Sequence, residues 1–133
     1  MNKNLHAEAI TKSGVVVTEI NEQILQETNN IRILYFTNGQ NVYGVSQDLR
    51  FFINRHEFDF NLKGQQITRF FQYKTMHHNL MSDNENISYH LGIDTEDGNY
   101  AYTYTMNIED TVTIIAQKKE NGVVIDERGF RIG

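Results

Sequence analysis

His77 and His78 are the first place in this chain where side chains could hold a metal ion. Neighbouring residues on a strand point to opposite faces, and on a helix they diverge by about 100°. One ion cannot easily use both rings. No HxH, HxxxH or HExxH spacing occurs, and His6, His56 and His90 are scattered along the chain. The pattern therefore argues against a metal site, and no metal or cofactor is expected.

Asp94-Thr95-Glu96-Asp97-Gly98-Asn99 has the composition of a calcium loop but not its spacing. Glu96 stands third, Asp97 fourth and the glycine fifth, and no glutamate follows at the bidentate position. The segment reads as a solvated hairpin turn whose Glu96 and Asp97 could meet a basic partner.

Tyr100, Tyr102 and Tyr104 alternate with Ala101, Thr103 and Thr105, and Tyr89 and His90 lie a few residues upstream. On a strand the three tyrosines share one face. They form either one layer of a core or the lining of a binding surface, since tyrosine suits both places. In the second reading Tyr89, His90, Tyr100, Tyr102, Tyr104 and Arg69 form a ligand- or partner-binding set. Arg50, Arg55 and Arg69 sit among Phe51, Phe52, Phe70 and Phe71. Such interleaving can bind bases or a small anion, although three arginines in an acidic chain make a weak case for nucleotides.

No GxSxG elbow and no GxxxxGK[ST] loop is present. Acid–base pairs such as His56 or His90 with Glu57 or Asp94 depend on the fold for their geometry. No catalytic residue is assigned, and the reading leans towards a binder rather than an enzyme.

The elements that would position these residues are mostly strands. Ile87 to Ile132 holds four β-rich runs separated by three turn signals, with Asp97-Gly98 and Asn121-Gly122 as hairpin signals and Glu109-Asp110-Thr111 between the middle pair. That is an antiparallel meander. Upstream, Ala7 to Ile10 could be a short strand, Gly14 to Ile20 a further one from its β-branched density, and Asn21 to Asn30 a short helix capped by Asn21. Ile31 to Phe36 is apolar on both faces, as a central strand would be. Asn38-Gly39 then turns the chain into Asn41 to Val45. Phe58 to Leu62 alternates as a strand does. Asp48 to His56 and Gln65 to Met81 fit helix or strand, the latter leaning to a hairpin after Lys63-Gly64. Ser82 to Asn86 reads as a polar loop. The fold expected is mainly β: an antiparallel meander forming a small barrel or sandwich of seven to nine strands, with one or two short helices.

The 133 residues suit a single domain, long enough for a core without staples. There is no cysteine, which removes disulfides and thiolate chemistry. No signal peptide and no membrane-spanning run is visible, so a cytoplasmic location is expected. The net charge is −5 with no basic block. Nucleic acid and anionic membrane are therefore not expected partners. Abundant asparagine and isoleucine hint at an AT-rich genome or mobile element.

These features point first to a small, acidic, non-catalytic binding protein. It would be an inhibitor, immunity or anti-defence factor, or a phage accessory factor, acting by covering a site on another protein. The alternatives are a β-barrel binder of a small ligand or acid–base enzyme with a tyrosine-lined pocket, and an oligomeric phage structural component built from copies of itself.

Overall fold

The computed structural model describes residues 5–79, 81, 84–106 and 112–132. The first half of the chain is cut into short pieces by turn residues. It contains β1 (His6–Thr11), β2 (Val16–Val17), α1 (Glu22–Gln26), β3 (Ile31–Thr37), β4 (Val42–Ser46), β5 (Phe51–Ile53) and β6 (His56–Phe58). The second half alternates over longer runs and forms β7 (Ile67–Asn79), β8 (Asn84–Thr95), β9 (Gly98–Met106), β10 (Val112–Glu120) and β11 (Val123–Ile132).

The strands form two antiparallel sheets. One has the order β2-β1-β3-β4-β5-β6 and the other β11-β10-β9-β8-β7. Each sheet has two open edges, so the architecture is a sandwich and not a barrel. The meander from residue 87 onward is present as expected, each strand pairing with the next. Its turn at Glu109-Asp110-Thr111 lies outside the described residues, as do Met1 to Asn4. Asn121 and Gly122 both take positive φ, 51° and 79°. That is the geometry of a tight two-residue hairpin, and asparagine followed by glycine adopts it at least cost.

Register decides which residues are inside. Tyr89 stands opposite Tyr104, Leu91 opposite Tyr102 and Ile93 opposite Tyr100. These side chains share the inward face and meet Phe36, Tyr43, Phe51, Phe58 and Phe60 from the other half of the molecule. Ring centroids are 4.7 Å apart for Tyr43–Tyr104 and 4.8 Å for Phe51–Tyr102. Aromatic contact in this range adds to the burial energy of the rings. Lys118 closes one margin, its ammonium 5.6 Å from the Tyr100 ring centre and donating to the Phe60 carbonyl at 3.3 Å.

Helix α1 matches the expected cap: the Asn21 Oδ1 accepts from the Ile24 N–H at 3.0 Å. Its Leu25 is buried in the core. It is the only helix among the described residues, beside eleven strands rather than seven to nine.

Four segments depart from the sequence reading. No hairpin forms across Lys63-Gly64: the chain passes there from one sheet to the other, and Ile67–Asn79 is one long strand paired with β8. Of Gly14 to Ile20 only Val16–Val17 pairs as a strand. The Thr11 hydroxyl and carbonyl hold the Val15 and Gly14 N–H groups in a tight turn, which leaves little chain to lie beside β1. β-Branched density favours a pleated surface only where a neighbour is there to pack on, and Val15 and Val16 are exposed. Phe58 to Leu62 alternates in burial, but the ladder stops at Phe58, and Asn61 turns through a φ of 58°. Phe60 and Leu62 still reach the core. Asn84 to Asn86, expected in a polar loop, belong to β8; Ser82 and Asp83 lie outside the described residues.

Candidate functional site

The eight residues singled out by sequence fall in different places. Tyr100, Tyr102 and Tyr104 are buried to 1–2 % exposure, and half-buried Tyr89 packs on Phe36 and Tyr104. His90 points out of the opposite face of β8. It stacks on Tyr73 at 4.2 Å and lies within hydrogen-bond distance of the Thr75 and Thr103 hydroxyls. Burial, then the charge of Lys119, pushes its pKa below the ordinary histidine value. Arg69 ties α1 to the sheet, donating to Glu22 at 2.9 Å and to Asp94 at 3.0 Å. Glu96 and Asp97 form the exposed β8–β9 turn, where Asp97 accepts from Gln65. Asp94 and Glu57 thus accept from arginines, while His90 faces threonines. Among the described residues no cluster of three histidine, aspartate or glutamate side chains could hold a metal ion.

An open hollow of about 550 Å³ lies beside Glu96 and Asp97, between the β8–β9 and β10–β11 turns. A more extensive concave surface lies around the turn from Ser46 to Arg50 between β4 and β5. The turn closes through Ser46 N–H to the Arg50 carbonyl at 2.9 Å and Leu49 N–H to the Ser46 carbonyl at 3.0 Å. The Ser46 hydroxyl donates to Asp48 and accepts from the Arg50 N–H. Leu49 is held at a φ of 67°. Left-handed backbone costs a branched residue such as leucine about 1–2 kcal/mol. The side chain of Leu49 packs against the core, which holds it there. Backbone strain of this kind persists where the surroundings over-determine it, and it gathers at functional sites.

Arg50 joins the turn to β6. Its guanidinium reaches Asp48 at 2.7 Å and Glu57 at 3.1 Å. Burial alone would push the Asp48 carboxyl up. Hydrogen bonds from Ser46 and Arg50, with the Arg50 charge, outweigh it and hold the group below its ordinary value. The same hydrogen bonds to Asp48 and Glu57 push the Arg50 guanidinium up.

No protein-family model, curated protein or solved structure matches this chain. The surface itself is therefore the basis for a functional reading.

Three hollows meet at the turn. The first, of about 520 Å³, lies on the outward face of the β1–β3–β4–β5 sheet. Ile10, Ile33 and Phe52 line it, with Arg32, Gln47, Asp48, Arg50 and Glu57. At this end of β4 the outward residues are Gly44 and Ser46, too small to fill the space. Phe52 lies over Gly44, so close that a Cβ there would stand 2.6 Å from the ring. The second hollow, about 790 Å³, shares Asp48, Arg50 and Glu57 with the first and continues past Leu49 to Lys63. The third, about 330 Å³, is reached over Gln47 and Leu49. The Asp48–Arg50–Glu57 group is thus a ridge between two hollows.

Sequence reasoning noted Arg50 and Phe52 but not Asp48, Leu49 or Glu57 as members of one surface. Asp48 to His56 fits helix and strand equally well by periodicity. Ser46-x-Asp48-x-Arg50, a self-bonding turn, was the available local signal.

Proposed function

We propose that this chain is a non-catalytic binding protein that covers a site on a partner protein through the surface around Ser46–Arg50. The observation that carries this reading is the convergence of three hollows on one internally bonded, strained turn. A turn whose polar groups already bond one another loses little freedom on docking. Hollows separated by a fixed charged ridge suit the insertion of a few anchoring side chains, which carry most of the energy in protein interfaces. An acidic chain rich in asparagine and isoleucine agrees with an inhibitor, immunity, anti-defence or phage accessory factor working in the cytoplasm. Among the described residues no helix is long and apolar enough to cross a membrane.

Native mass spectrometry of the chain purified from its own host tests the reading. The expected result is one host protein retained in fixed ratio, and lost from Arg50→Ala. A bare monomer, or a partner that Arg50→Ala retains equally, would contradict it.

Two observations favour other readings. The first hollow has the volume of an ordinary small-molecule site, so a co-purified small molecule would favour the ligand-binding alternative. Val123, Val124 and Ile125 are exposed on the edge strand β11, so a bare homo-oligomer would favour the structural alternative.

A further inference from the structure

The first hollow is apolar within, and its two sides carry opposite charge. On the β3 side stands Arg32, exposed and without an ion-pair partner among the described residues. On the β5–β6 side one guanidinium, Arg50, serves two carboxylates, Asp48 and Glu57. One negative charge is left over there. An anion entering the hollow is drawn to Arg32 and turned away from Glu57, so the rim orients what it binds. Ile10, Ile33 and Phe52 offer contact to an apolar body between the two sides. The second hollow continues beyond the Arg50 ridge, so an occupant with the length of a chain segment can use both.

We propose that the first hollow takes an aromatic or large aliphatic side chain from a segment of the partner protein. Arg32 pairs with the carboxylate of an Asp or Glu next to that residue in the segment. This inference rests on the partner-binding reading above and names the chemistry of the partner. The remainder of the segment lies over the Asp48–Arg50–Glu57 ridge towards Lys63.

Selection from a displayed random seven-residue peptide library against the immobilised full chain tests it. The expected peptides carry an aromatic or large aliphatic residue beside Asp or Glu. Arg32→Gln should weaken the best of them about fivefold, the worth of an exposed charge pair. Arg32→Glu should turn the preferred neighbour to Lys or Arg. Arg55→Gln, on the β5–β6 turn and outside the hollow, should change nothing. Thermal unfolding of each variant shows that the fold is kept, since the Arg32 side chain holds no bond among the described residues. Selected peptides without an acidic neighbour, binding insensitive to Arg32→Gln, or no enrichment at all would overturn the proposal. A host partner still lost from Arg50→Ala in that event would leave the binding surface in place and remove only this assignment.

Discussion

The two sheets solve the same problem with different materials. The β7–β11 sheet uses long strands with polar tight turns, and its inward tyrosines disappear into the core. The β1–β6 sheet uses short strands, and its turns at Leu49, Asn54 and Asn61 take positive φ without glycine. On the long-stranded sheet a hollow lies between the β8–β9 and β10–β11 turns. Short strands separated by bent turns give hollows. Three adjoining hollows therefore gather on the less regular sheet, where the strained backbone of Leu49 is also found.

Replacing a core ring should have the largest effect. Tyr102 lies among Phe51 and Phe58 at about 1 % exposure. Tyr102→Ala should cost about 3–5 kcal/mol in urea unfolding. Phe52→Ala, on the half-buried outer face of the other sheet, should cost under about 2 kcal/mol. The Tyr102 hydroxyl is buried and has no hydrogen-bond partner among the described residues. Tyr102→Phe should therefore be neutral or stabilising by up to about 1 kcal/mol. A clear loss would mean that the hydroxyl has a partner.

The glycines beneath aromatic rings separate the sheets next. A Cβ on Gly92 would stand 2.0 Å from the Tyr100 carbonyl oxygen and 2.8 Å from the Ala101 Cα. Backbone must move, and Gly92→Ala should cost about 3 kcal/mol or more. At Gly44 the close neighbour is the far end of the Phe52 ring. Gly44→Ala should cost about 1 kcal/mol, with the ring swinging into the first hollow and partner binding falling. Equal costs in thermal unfolding would erase the contrast.

These contrasts also show what could be read from the chain. Alternation over Val112 to Gln117, closed by Asn121-Gly122, specifies strands, partners and turn together. The cap at Asn21 reads equally well, because one side chain bonding one N–H is a local event. Whether Tyr102 faces a core or a cavity depends on Phe51 and Phe58, far away in sequence. The surface site depends on Arg50 reaching Glu57 across a turn, and on Gly44 being small where Phe52 is large. Those are tertiary facts carried by residues of ordinary composition. Phe60 and Leu62 kept their burial pattern but left the ladder, since alternation reports facing and not hydrogen bonding.

Leu49 tests the strain in the short-stranded sheet. Both Leu49→Gly and Leu49→Ala remove the packing side chain. Ordinarily alanine is the more stable of the two, but at positive φ the order reverses. Leu49→Gly should exceed Leu49→Ala by about 1 kcal/mol in thermal unfolding. The opposite order would remove the strain from the account.

The smallest expected effect is on the regular sheet. The folded-state pKa of His90 is lowered, first by burial and then by Lys119. As pH falls through the ordinary histidine value, the unfolded chain takes up the proton first. The contribution to stability is full above that value, declines below it, and levels off once the folded ring is also protonated. His90→Gln should flatten the decline between about pH 7 and 5. An unchanged slope would assign it to other groups.

The central claim is that partners meet the surface around Ser46–Arg50 and not the outer face of the other sheet. Photo-crosslinking in the native host tests it directly. Benzoylphenylalanine is placed at Lys63, on the rim of the second hollow, or at exposed Tyr73, on the outer face of the other sheet. The account predicts an adduct with one host protein from position 63 and none from position 73. An adduct from position 73 alone would contradict it and move the binding surface to the other sheet.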